Sequence, residues 1–144
     1  MSAANWTRAG AEAVVADAAI LHPEIHEDLF ELLDTGEMFH GRYRRFVYLC
    51  ALAADPDVEG PYVRVHQALL ECGVHRNDRD GGRLLALTVA DGVVDRSHRG
   101  VEAARELVRL DGADRLRRLL VSAASSLAAG IDPEAVADRL RRST

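Results

Sequence analysis

A chain of 144 residues, 48% apolar and 28% charged, has the balance of a folding globular protein and excludes the low-hydrophobicity, high-charge composition of a disordered one. One domain of that length buries roughly two thirds of the surface its unfolded chain exposes, so no metal or disulfide framework is needed, and two cysteines supply none. The net charge of −5 is uneven: residues 1–60 hold four Arg against eleven acids, a net of −7, whereas residues 61–118 hold eleven Arg against nine, a net of +2.

All eighteen basic residues are Arg; this usage is expected of a GC-rich bacterial genome rather than of selection for the bidentate guanidinium. The apolar fraction is carried by Ala, Leu and Val, which favours helix before any pattern is read. The first residues, Met1 to Trp6, show no basic region followed by an apolar run. No stretch approaches the roughly 18 apolar residues of a membrane span, so a cytoplasmic protein is expected.

In chain order, Trp6, Gly10, Ala13, Val14, Asp17, Ile20 and Leu21 recur at three- and four-residue steps and predict a first helix over about 3–21, with Asp17 breaking the stripe and Gly10 admitting a close neighbour. Pro23 opens a second helix that carries Ile25, Leu29, Leu32 and Leu33 and stops at Gly36. A third runs from Arg42 to Ala54, ended by Asp55-Pro56-Asp57. Pro61 opens a fourth with Tyr62, Val65, Leu69 and Leu70, closed by Gly73.

The run 75–82 has no apolar side chain and reads as an exposed loop. Leu84 to Thr88 predict a short helix; Asp95 or Ser97 caps another through about Leu110, with Val93 and Val94 as an alternative small strand. Gly112 is expected to separate that helix from one carrying Leu116, Leu119, Leu120, Ala123 and Leu127 and followed by Gly130. Asp132-Pro133-Glu134 starts the last, about 133–142, with Arg139, Arg141 and Arg142 at its negative end. The expected fold is therefore all-α: one domain over 1–144, a compact irregular bundle of about seven or eight short to medium helices.

Patterns that carry chemistry fail on their own geometry. His22 and His26 stand one helical turn apart, but Pro23 occupies the place of the Glu in HExxH, so a solvated helix end is expected and no metal. Glu37 and His40 match one half of a di-iron pair without a second Glu-x-x-His, and Glu37 is expected to face a helix N-terminus. Asp78, Asp80 and Gly81 resemble a calcium loop, yet Arg76 and Leu87 would fall on its first and twelfth positions and cannot ligate. There is no nucleophile elbow and no phosphate-cradling glycine motif, and Cys50 and Cys72 lie in core-like patterns. No catalytic residue and no cofactor is expected.

Two surfaces remain. Arg42 and Arg45 beside Phe39 and Tyr43 form the Arg and aromatic cluster of an interface centre. The expected function is accordingly a non-enzymatic protein-interaction or adaptor domain, self-association included, with another protein or itself as partner. The alternative is a winged-helix-like nucleic-acid-binding regulator using residues 62–99, with Arg76, Arg79, Arg83, Arg96 and Arg99 on the phosphates. Its turn is long for that motif, and Asp78, Asp80, Asp91 and Asp95 oppose it. A third possibility is an enzyme or small-ligand domain whose pocket is assembled from residues distant in sequence.

Overall fold

Alanine-rich α1 (Arg8–Leu21) is the axis of the fold in the computed structural model, which describes residues 6–34, 36–74, 81 and 98–143. Every residue from Ala11 to Ile20 is buried. Seven of those ten are Ala or Val, so neighbouring helices approach closely, and a helix apolar nearly all round belongs in an interior. Thr7 starts the helix by accepting the Gly10 N–H on its Oγ1, which sets the beginning after Trp6 rather than at residue 3. Gly10 is therefore close to its own cap and not to another helix, since a Cβ there would meet Thr7 Oγ1 at 2.9 Å.

Around α1 pack a 3-10 turn (Pro23–Ile25), α2 (His26–Leu33), α3 (Arg42–Ala53) and α4 (Pro61–Glu71). Asp34, in the left-handed region at φ 48°, ends α2 two residues before the expected glycine. Pro61 stands at the first position of α4, where its missing N–H costs nothing. Gly73, at φ 86°, closes α4: its N–H reaches Leu70 O, the Val74 N–H reaches Leu69 O, and the Val74 side chain packs on the core.

The chain continues with α5 (Gly100–Ala128) and α6 (Pro133–Ser143). Among the described residues these are six α-helices and no strand, so the fold is all-α, with six helices counted there against the seven or eight expected of the chain. Part of the difference is Gly112, which sits inside α5 and does not interrupt it. A mid-helix glycine costs only about 1 kcal/mol relative to alanine, and the Asp111–Arg115 pair spans it at a four-residue step, with Asp114–Arg117 following at a three-residue step. The helix expected at 84–88, the alternative strand at 93–94 and the caps at Asp95 and Ser97 lie outside the described residues. So does the 75–82 loop apart from Gly81, which is buried and helical.

The chain divides into two compact units, one up to Val108 and one from Arg109 onward. The core of the first is a single cluster of Val14, Val15, Ile20, Leu29, Leu33, Phe39, Val47, Tyr48, Val65, Leu69, Leu107 and smaller residues. Full burial of each large side chain contributes on the order of 1.5–3 kcal/mol. Gly100 is at its tightest point: a Cβ there would overlap the Ala18 Cβ and stand 3.1 Å from Ile25 Cδ1. In the second unit the end of α5 turns into α6 through Gly130, with Gly130 N–H to Leu127 O and Ile131 N–H to Ser126 O. Among its described residues only Val136 is a buried hydrophobe.

Candidate functional site

The expected interface cluster divides between core and surface. Phe39 is buried and stacks on Tyr48 with ring centroids 5.1 Å apart, so it anchors the α2–α3 connection and offers little to a partner. Arg42 folds over its neighbour, its guanidinium 4.7 Å from the Tyr43 ring centroid and its Nη2 donating to Tyr43 Oη at 2.8 Å. Arg45 lies half-buried along the same helix, its Cγ against Gly36, and it too is engaged.

The connection from α2 to α3 is held by a residue that the sequence pattern hid. Glu12, buried on α1, accepts the His40 N–H on Oε2 and the Gly41 N–H on Oε1, both at 2.9 Å. These N–H groups open α3, whose N-cap Gly41 has no side chain of its own to offer. The carboxylate expected at a helix N-terminus is thus Glu12 from a distant helix, while Glu37 is exposed in the turn. Arg8 adds a bond from Nη1 to Met38 O at 2.9 Å. Asp17, the other buried acid of α1, is also engaged.

His22 and His26 serve different partners. His22 Nδ1 is 3.2 Å from Glu24 Oε1, and His26 Nε2 is 2.6 Å from Ala19 O. A carbonyl only accepts, so His26 carries its proton on Nε2. No group of three His, Cys, Asp or Glu with metal-site spacing occurs among the described residues.

Of the arginines expected on a nucleic acid, Arg76, Arg79, Arg83 and Arg96 lie outside the described residues. Arg99 is committed locally: its Nε donates to Glu102 Oε2 at 2.8 Å, its Nη2 to the other oxygen, and its guanidinium covers the Trp6 ring at 4.9 Å. The Glu102 carboxylate raises the Arg99 pKa further, and the fork that would grip a phosphate is occupied.

Tyr48 is fully buried, and its hydroxyl has no hydrogen-bond partner among the described residues. Burial, with the Asp34 carboxylate adding to it, pushes the phenol up to about 12. Cys50 lies on α3 and Cys72 at the C-cap of α4, the helix packed against it. Cys50 is buried and Cys72 is exposed. Burial, with Cys72 adding to it, pushes the Cys50 thiol up to about 12.

The C-terminal hairpin carries what sequence reading passed over. Leu119, Ser122, Ala123 and Ser126 on α5 face Val136, Arg139 and Leu140 on α6, and Arg139 Nη2 donates to Ser126 Oγ at 2.9 Å. The cleft there is about 90 Å³, far below the roughly 300 Å³ at which metabolite pockets begin. Beside this contact face runs an open one: Leu116, Leu120 and Leu127 are 50%, 55% and 48% exposed. At about 100° per residue they fall within roughly 40° of one another around the helix.

No helix among the described residues is long and apolar enough to cross a membrane. Compared with protein-family models, curated proteins and solved structures, the chain matches none.

Proposed function

We propose that this chain is a non-enzymatic protein-interaction domain that associates with a second copy of itself through the C-terminal hairpin. The supporting observation is the half-exposed row Leu116, Leu120, Leu127 along α5. Its steps of four and seven residues are those of a helix-packing seam, and the row adjoins the face already packed on α6. A unit of about this size, under roughly 40 residues, seldom builds a sufficient core alone and usually gains one by association. One buried valine is little to hold two helices together. Two hairpins packed on this row would form a four-helix arrangement with the leucines inside.

Charge permits the pairing. Residues 109–144 hold seven Arg against five acids, a net of only +2, so two copies repel weakly. Asp111–Arg115 and Asp114–Arg117 at 3.4 and 2.9 Å place both signs on α5, the mixture that flanks helix-pairing seams.

Sedimentation velocity of the full chain across a concentration series tests this. The expected result is a dimer that Leu116→Glu with Leu120→Glu returns to monomer at unchanged helicity, while Arg42→Ala with Arg45→Ala leaves the dimer intact. A wild-type monomer at all concentrations, or a dimer indifferent to the leucine changes, would falsify it and leave the row to a different protein partner.

A further inference from the structure

We propose that the two hairpins pair antiparallel, with Leu120 of each copy against Ala124 of the other and Leu116 against Ala128. The inference rests on the hairpin dimer proposed above and fixes the direction and register of that contact. At about 100° per residue, Ala113, Ala124 and Ala128 fall on the same side of α5 as Leu116, Leu120 and Leu127, all six within roughly 120°. The three alanines are exposed, and the three leucines half-exposed. The open row is therefore uneven in height, with leucines at 116 and 120 and alanines at 124 and 128.

This unevenness decides the direction. A parallel pair about a twofold axis sets each residue against its own copy: Leu116 on Leu116 and Leu120 on Leu120, but Ala124 on Ala124 and Ala128 on Ala128. The leucines hold the helices apart at one end, and the alanines fail to meet at the other. Voids of even methyl size cost about 1 kcal/mol each. Turned end for end, each of those leucines meets an alanine, and Leu127 comes level with the space between Leu116 and Leu120 of the second copy. Large against small at successive levels is the arrangement that interdigitates at the density of a protein interior. Ile131, 44% exposed just past the end of α5, then comes level with Ala113 of the second copy.

Charge agrees with this direction. Residues 109–118 hold four Arg against two acids, a net of +2, and residues 119–131 hold no charge. The exposed Asp132 and Glu134 follow in the turn into α6. A parallel pair lays the two positive segments side by side. The antiparallel pair moves them about 25 Å apart along the helix axis, at about 1.5 Å per residue, which exceeds the screening length of about 8 Å at physiological salt. It also brings each positive segment to the end of the hairpin where the second copy carries those two acids. The opposed helix dipoles favour the same direction.

The pairing is tested on the full chain carrying Cys72→Ser, which removes the exposed thiol and leaves only the buried Cys50. Ala113→Cys, Ile131→Cys and the double variant are oxidised in their folded state and run on a non-reducing denaturing gel, with sedimentation velocity and helicity recorded for each. About 27 Å separates the two positions along one chain, so no bond closes within it. The expected result is a covalent dimer from the double variant and none from either single one. After cleavage at arginine, residues 110–115 should be joined to 119–139, and adding Leu116→Glu with Leu120→Glu should abolish the product. A covalent dimer from Ala113→Cys alone identifies a parallel pair and overturns the inference while leaving the hairpin dimer standing. A dimer in sedimentation that gives no cross-link overturns the register, and a monomer at every concentration removes both the dimer and its direction. If Ile131→Cys disturbs the turn, a spin label at Ala113→Cys decides alone: the two labels should stand about 27 Å or more apart, and contact between them overturns the proposal.

Discussion

Glu12 Oε1 accepts the Gly41 N–H at 2.9 Å, and through that bond a carboxylate on the central helix begins a helix twenty-nine residues away. A Cβ on Gly41 would stand 2.9 Å from the same oxygen, so the close approach depends on both residues. Glu12→Ala leaves the His40 and Gly41 N–H groups without their acceptor and should cost about 2–3 kcal/mol in urea unfolding. Gly41→Ala should cost a similar amount by pushing the carboxylate away. The two changes remove one contact, so the double variant should lose clearly less than the sum; strict additivity would show that the cap contributes nothing.

Tyr48 offers the opposite sign. Its hydroxyl lies in the core without a partner among the described residues, and burying such a group costs on the order of 1 kcal/mol or more. Tyr48→Phe keeps the ring that stacks on Phe39 and removes only the oxygen, so it should raise stability by about 1 kcal/mol at neutral pH.

The same phenol fixes a pH dependence. Its folded value is raised from 10.0 to about 12, so above pH 10 the unfolded chain releases a proton that the folded chain keeps. Stability is therefore fully present below pH 10 and falls as pH rises toward 12, by up to about 1.4 kcal/mol per pH unit from this group. Urea midpoints between pH 9 and 12 should show Tyr48→Phe with the shallower decline; parallel curves would place the phenol in water.

What the sequence disclosed and what it hid divide along the range of the interactions. Pro61, Gly73, Pro133 and Gly130 mark helix ends through their own backbone, so each was legible from neighbouring residues. The α3 boundaries followed from the run of apolar spacing up to Asp55-Pro56. Glu12 drew no reading from the sequence, because its partners at His40 and Gly41 are backbone groups and carry no side-chain signature. Phe39 looked like an interface aromatic beside Arg42 and Arg45, and only the stacked Tyr48 reveals it as core. The Leu116, Leu120 and Leu127 row was read as core for the reason any leucine stripe is: exposure is a property of the packed chain.

Gly100 and Gly112 show why glycine alone does not predict its role. They sit twelve residues apart on α5 and should respond to alanine in opposite directions. At Gly100 a Cβ overlaps Ala18 Cβ and crowds Ile25 Cδ1. Neither the α1 backbone nor a fully buried core yields easily, so Gly100→Ala should lose about 1–3 kcal/mol. At Gly112 nothing lies within 4 Å of the added Cβ and the residue is exposed. The substitution there only restricts the unfolded chain and improves helix propensity, for a gain of about 0.5–1 kcal/mol. Thermal melts of the two variants should thus bracket the wild type. If Gly112→Ala were also destabilising, glycine would be required there, and the uninterrupted course of α5 through it would be wrong.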